Sequence, residues 1–218
     1  MNDVRDWIRK KLIEQGYSSR KLELSQLEIE RASRPRARVL CIGQQDGECF
    51  DAEDVDSCLA NVPGTCFVVV VPTQITHAAY ERAEERGICV AGFSELLDAL
   101  NLDDDIGQHV DSRERYERRR LTRNGAVTSL KRKGHHAYEV RRKKLRPLTI
   151  ITTGEYEFTV DELYSLLDGY EGIAVDVVVV TNPNCHGLST DSQKAAKRAG
   201  ISLALFDDFL DNLGTRWT

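Results

Sequence analysis

The chain repeats itself, and the repeat constrains its fold more than any other feature. Residues 83–100 read AEERGICVAGFSELLDAL and residues 196–213 read AKRAGISLALFDDFLDNL. At a constant offset of 113 positions eight of the eighteen residues are identical, Gly87/Gly200, Ile88/Ile201, Phe93/Phe206 and Leu97/Leu210 among them. Chance gives about one. Upstream, with small shifts, 67–71 (FVVVV) answers 177–180 (VVVV), and 39–43 answers 149–154. The unit that closes at Leu100 is therefore expected to be built again and to close at Leu213.

Each half reads as alternating strands and helices. In the first, 39–42 is a short apolar strand, 51–60 a helix with an acidic first turn, and 67–71 a β-branched strand closed by Pro72. A helix follows over 76–86, capped by Thr73 or Thr76 and stopped at Gly87, then a strand over 88–91 and a helix over 94–100 capped by Ser94. The second half repeats the series at 148–153, 160–168, 175–181, 190–199, 201–205 and 207–213. Uninterrupted apolar strands belong to a parallel sheet covered on both faces. Ahead of the first core lies an amphipathic helix, 3–15, with Val4, Trp7, Ile8 and Leu12 inward, and strand material over 21–31. Ahead of the second lie a helix over 112–123 and strands over 126–131 and 136–142. The expected fold class is α/β: two repeated domains, each an N-terminal helix and β-meander followed by a βαβαβα core. They span 1–102 and 112–218, joined by an acidic linker over 103–111 that holds Asp103, Asp104, Asp105 and Gly107.

With 218 residues, 41 % hydrophobic and 30 % charged, the chain has enough material for two small globular domains and is neither collagen-like nor proline-rich. No apolar run approaches the roughly 18 residues needed to span a bilayer. The first fifteen residues carry charges every few positions, where a signal peptide needs an unbroken apolar stretch. These features predict no membrane partner and a cytoplasmic location. Six cysteines without a C-x-x-C pair read as reduced and structural.

The order of helix, β-meander and alternating strands and helices, with an apolar strand leading into A-x-x-x-G-I-x-L and a final F-x-x-L-L, resembles the restriction-endonuclease-like nuclease fold. It resembles Mrr-type restriction enzymes in particular, and the second half fits best, through 177–181, 192–200, Ile201-Ser202-Leu203 and Phe209-Leu210. The resemblance implies an acidic residue on one meander strand and (Asp/Glu)-x-Lys on the next. The carboxylates would hold a divalent metal while the lysine orients or deprotonates the attacking water. The strands where that motif falls, 39–43 and 148–153, contain neither carboxylate nor lysine. The likeness thus implies a scaffold kept without its catalytic site, as in the N-terminal domain of the fifth common subunit of eukaryotic RNA polymerases. Residues 149–172 and 189–213 also look like a BRCT domain, which implies binding to phosphopeptides or DNA ends. Only 173–175 separate Gly172 from the next strand, however, which leaves no room for that family's extra strand.

Charge is distributed unevenly. Residues 113–146 hold 14 Lys and Arg against three Glu in a chain whose net charge is −5. Lys131, Arg132, Lys133, His135, His136, Tyr138, Arg141, Arg142, Lys143 and Lys144 fall on a predicted hairpin. The hairpin is expected to set its clusters side by side as a phosphate-binding ribbon, with Tyr138 stacking on a base. The competing readings are a solvated charged edge and a surface that meets an acidic protein.

Four further features hold residue types that can do chemistry. Glu139-x-Arg141 is a displaced carboxylate motif with Arg for Lys; Glu23, Glu28 and Glu30 are acidic strand residues of the kind that hold a metal. Cys185-His186 would make a metal pair or a nucleophile with its base, and Gly43-x-x-x-Gly47 resembles a phosphate loop without its Gly-Lys-Ser/Thr ending. His77 and His109 read as structural. The function expected is that of a non-catalytic nuclease-fold binding protein, acting on duplex or single-stranded nucleic acid or within a DNA-processing or defence assembly. No catalytic residue, metal or cofactor is assigned; Mg²⁺ enters only if the chain is instead a nuclease with displaced carboxylates. A structural adaptor is the third reading, and a homo-oligomer is compatible with each.

Overall fold

The structure, a computed structural model, describes residues 3–45, 47–185 and 187–217. It divides into two compact units, Met1–Asp111 and Ser112–Thr218.

The first unit opens with α1 (Val4–Glu14), capped by the Asp3 carboxylate, which accepts from the Arg5 backbone N–H at 3.1 Å. There follow β1 (Ser19–Lys21), β2 (Gln26–Ile29), β3 (Ala37–Gly43), α2 (Ala52–Asn61), β4 (Phe67–Val71), α3 (His77–Arg86), β5 (Cys89–Ala91) and α4 (Phe93–Leu102). The sheet runs β1-β2-β3-β4-β5. Its first two pairings are antiparallel and its last two parallel. Phe67 and Val69 of β4 pack with Ile8, Leu12, Leu27 and Leu96, while Val68 and Val70 pack with Phe50, Val55 and Ala79. Successive side chains of a strand leave on opposite faces, so a strand covered on both has no position for a polar residue. Each such side chain contributes on the order of 1.5–3 kcal/mol by its burial. Local signals set the helix ends. Asp51 and Asp54 accept from each other's backbone N–H at 3.0 and 2.9 Å to start α2, and α3 is capped by Thr76 and ends at Gly87, φ 69°.

The second unit contains α5 (Ser112–Arg123), β6 (Val127–Gly134), β7 (Ala137–Arg142), β8 (Leu145–Thr153), α6 (Val160–Gly169), β9 (Val177–Val180), α7 (Thr190–Arg198), β10 (Ser202–Leu205) and α8 (Phe206–Asp211). Its sheet runs β10-β9-β8-β7-β6. β6/β7 and β7/β8 are antiparallel, β8/β9 and β9/β10 parallel. Val177 and Val179 pack with Leu121, Tyr138 and Phe209, whereas Val178 and Val180 pack with Phe158, Leu163 and Ala195.

Three local expectations are corrected. Trp7 is not part of the inward stripe of α1, which is Ile8 and Leu12; it stands 41 % exposed, edge-on to Phe93 at 5.4 Å. Ser94 does not cap α4. Gly92 does, because a Cβ there would lie 2.3 Å from Thr73 Oγ1 and the chain passes too close for a capping side chain. Finally, 103–111 is folded onto the first unit. Ile106, in a short 3-10 turn (Ile106–Gln108), is buried, and His109 Nδ1 lies 2.6 Å from Asp103 Oδ2. Arg31 donates to the carbonyls of Leu100 and Asp104 at 3.1 Å and to that of Asp103. The acidic side chains suggest a solvated linker, but backbone carbonyls anchor the stretch.

Candidate functional site

The basic segment does form a hairpin, yet its two clusters stand at opposite ends of it. Arg132 pairs with Tyr138, Lys131 with Glu139 and Arg141 with Ser129. The turn comes directly after the first cluster, and pairing runs outward from the turn, so the second cluster lies beyond the first instead of facing it. Lys131 and Arg141 remain diagonal neighbours. Lys131, His135, Arg141, Lys143 and Lys144 are exposed and Lys133 is half-buried.

The other four members turn inward. Tyr138, Val140 and Arg142 are alternate residues of β7 and all three are buried, the first two against Leu121 of α5. Tyr138, 0 % exposed, has no ring face to offer a base, which corrects the stacking expectation. Arg142 donates to the carbonyls of Arg146 and Leu213 at 3.1 Å and of Thr215 at 2.8 Å, and so ties the C-terminal segment to the sheet. Arg132 reaches Glu114 at 2.8 Å, and His136, just before β7, is buried.

Beneath the hairpin α5 buries two carboxylates. Glu114 and Glu117, 1 % and 0 % exposed, share a helix face with Leu121. Glu117 accepts from Thr152 Oγ1 at 2.7 Å, Thr181 Oγ1 at 2.8 Å and the Tyr138 hydroxyl at 3.4 Å. Arg113 Nε and His136 Nδ1 each stand 3.5 Å from one of its oxygens. Glu114 is held by Arg118 Nε and Arg132, both at 2.8 Å. An unpartnered buried carboxylate costs several kcal/mol, and hydrogen bonds to charged groups contribute about 1.5–3 kcal/mol each, so the donor set is what makes this burial tolerable. Burial, helped by Glu114 and Glu117, raises the Tyr138 pKa well above 10 and keeps the phenol a donor. A crevice of about 370 Å³ lined by Arg113, Tyr116, Gly154, Thr181 and Asn182 borders the network at the C-terminal ends of β8 and β9. Glu117, answered by hydroxyls and cations, orders the strand ends.

The remaining candidates are accounted for by their neighbours. Glu139 accepts from Arg141 Nε at 2.7 Å. Glu28 is ringed by Arg20, Arg38 and Arg36 at 2.7, 3.3 and 3.4 Å, and Glu30 pairs with Arg36 at 3.2 Å. Burial works against ionisation of Glu28, yet the three arginines hold its pKa below the ordinary value. Guanidinium groups thus occupy the ground a metal would need. Cys185 Sγ donates to the Gly187 carbonyl at 3.6 Å, and His186 lies outside the described residues. Gly43 is a close-packing glycine: a Cβ there would stand 3.0 Å from Val4 Cβ. All six cysteines are free thiols, with burial pushing Cys41 up to about 12 and Cys58 to about 11.

The sequence reading missed Arg113, Glu114, Glu117, Thr152 and Thr181. Arginines four residues before Glu117 and four after Glu114 look like a solvated helix face. The usable signal was hydroxyls at the ends of two adjacent apolar strands, Thr152-Thr153 and Thr181. Comparison of the chain with protein-family models, curated proteins and solved structures finds no match in any of the three.

Proposed function

We propose that the chain is a non-catalytic nucleic-acid-binding protein made of two nuclease-like units related by duplication, and that it holds phosphates with the exposed cations of the β6–β7 hairpin. The observation that carries this reading is the placement of Lys131 and Arg141 as diagonal neighbours, with His135 at one end of the hairpin and Lys143 and Lys144 at the other, all exposed. Charge supports it: residues 112–218 hold 18 Lys and Arg against 14 Asp and Glu, residues 1–111 only 12 against 21. The duplication reading is supported by the common strand order and pairing sense of the two sheets. The non-catalytic reading is supported by the residues on the Glu117 side of the meander, Tyr138, Ile150 and Thr152, where a metal-dependent nuclease needs carboxylates and a lysine.

Phosphate binding releases counterions, so log affinity falls linearly with log salt, by about 0.9 per phosphate on duplex DNA. With Arg132 and Arg142 turned inward, Lys131, Lys133, Arg141, Lys143 and Lys144 give a slope of roughly −3 to −4. The K131A/R141A/K143A/K144A variant should flatten it to about −1 without preference for any sequence. Absence of salt-sensitive binding to either duplex or single strand at about 50 mM salt would make the hairpin a protein-contact surface or a solvated edge. Sustained cleavage with Mg²⁺ or Mn²⁺, abolished by one carboxylate substitution, would make the chain a nuclease.

A further inference from the structure

One cleft is built wholly from residues of the first unit. It encloses about 750 Å³ between α2 and the β1–β2 turn, within the size range of small-molecule sites. Its floor is apolar, built by Leu40, Ile42, Phe50 and Val62. α2 presents Ser57 and Asn61, one helical turn apart, along one wall, and Glu48 and Asp54 supply the charge at the rim. Among the described residues, no lysine, arginine or histidine lines it. Both carboxylates are exposed and each commits one oxygen to a backbone N–H, Glu48 to Gln45 at 3.1 Å and Asp54 to Asp51 at 2.9 Å. The other oxygen of each has no hydrogen-bond partner among the described residues.

The opposite wall is a turn with an unusual sequence. Leu24 and Ser25 both adopt left-handed backbone angles, φ 50° and 60°, in a two-residue hairpin where asparagine and glycine are the favoured pair. Leu24 nevertheless lines the cleft with its side chain 63 % exposed. An apolar residue held in a costly conformation at the mouth of a cleft is understandable if something apolar rests on it.

From the apolar floor, the acidic rim and the absence of any cation in the lining, we infer that this cleft binds a small organic cation with an apolar body, a site separate from the phosphate-binding surface. The excess of acidic groups over residues 1–111 raises the local concentration of such a ligand and disfavours anions. Ser57 and Asn61 orient its polar edge, while Glu48 and Asp54 face its charge.

The test is chemical-shift titration of the full chain with three matched probes: 2-phenylethylammonium, 2-phenylethanol and 3-phenylpropionate. The ammonium should perturb amides of 40–44, 48–50 and α2 within about 10 mM, as expected for so small a probe. It should bind about threefold to fivefold tighter than the alcohol, the advantage of exposed charge pairs, and the carboxylate weakest of all. In E48Q/D54N, where both side chains still accept their backbone N–H, the ammonium preference should vanish while the alcohol binds as before. S57F should fill the cleft and abolish all three responses, with the remaining spectrum unchanged. No perturbation by about 10 mM, perturbations centred elsewhere, or equal binding of the carboxylate would each overturn the assignment.

Discussion

Matched through their strand pairing, the two units fill the same positions with opposite chemistry. In the first, the Cys41 N–H donates to the Ser25 carbonyl at 3.0 Å; in the second, the Thr152 N–H donates to that of His136 at 2.9 Å. Ser25 and His136 both have positive φ, 60° and 52°. Gly43 closes β3 against Val4 of α1, and Gly154 follows β8 against Arg113 of α5, where an added Cβ would stand 2.9 Å from Nη1. Counting from these anchors, Ile8, Leu27, Cys41 and Val71 correspond to Glu117, Tyr138, Thr152 and Thr181. The first unit closes the junction of helix and strand ends with hydrocarbon and a thiol, the second with a carboxylate and three hydroxyls. One backbone frame therefore accepts a dry core or a hydrogen-bonded one, provided every buried polar atom is answered.

The sharpest way to break this comparison is to exchange residues across it. Ile8→Glu places a carboxylate among Leu27, Cys41 and Val69, which offer no strong donors, and should cost about 5 kcal/mol, enough to unfold the first unit. Glu117→Ile strips an acceptor from Thr152, Thr181 and Tyr138 and should cost about 3–5 kcal/mol. The variant E117I/H136S/Y138L/T152C/T181V copies the first unit's set into the second and should recover most of that loss. Urea unfolding of the three proteins decides the matter; a quintuple variant less stable than E117I alone would show that the positions are not equivalent.

Half of the comparison was legible in the sequence. The β-branched runs 67–71 and 177–180 identify strands covered on both faces because hydrocarbon in every position has only one explanation. The buried network was not legible. Glu114 and Glu117 lie among the six arginines of 113–123, and periodicity counts any charged residue as solvent-facing. Only the fold reveals that Arg118 and Arg132 meet Glu114 from inside. Hairpin residues failed for a related reason: composition located the cations, but the pleat decides which alternate ones point outward, and exposed Arg141 and buried Arg142 differ by a single residue.

That alternation yields the next test. Arg142→Ala removes donors to three carbonyls from a buried position and should cost about 2–3 kcal/mol, with little change in the salt dependence of nucleic-acid binding. Lys143→Ala with Lys144→Ala should do the reverse, changing stability by less than about 0.5 kcal/mol and reducing the salt slope by about 1–2. Chemical denaturation and binding at several salt concentrations separate the two. Equal effects of both variants on binding would return Arg142 to the interface.

The smallest expected effect concerns acid. Glu28 and Glu139 occupy matching places in the two sheets, one residue after Leu27 and Tyr138 respectively. Three arginines surround Glu28, whereas Arg141 is the one arginine bonded to Glu139 among the described residues. Because the Glu28 pKa is lowered in the folded chain, the unfolded chain binds its proton first as pH falls. Its contribution to stability is complete above the unfolded value, near 4.5, and disappears as pH drops through the lower folded one. Glu28→Gln should therefore lower stability at neutral pH and make the first unit's acid unfolding less steep below pH ~4.5. Glu139→Gln should change the second unit's acid limb less, since fewer cations are left without a counter-charge. Acid titration of both variants, followed by amide exchange within each unit, checks the order. If Glu139→Gln proves the larger, cation count around the strand does not set the acid response, and the correspondence of the two sheets at this position has no energetic meaning.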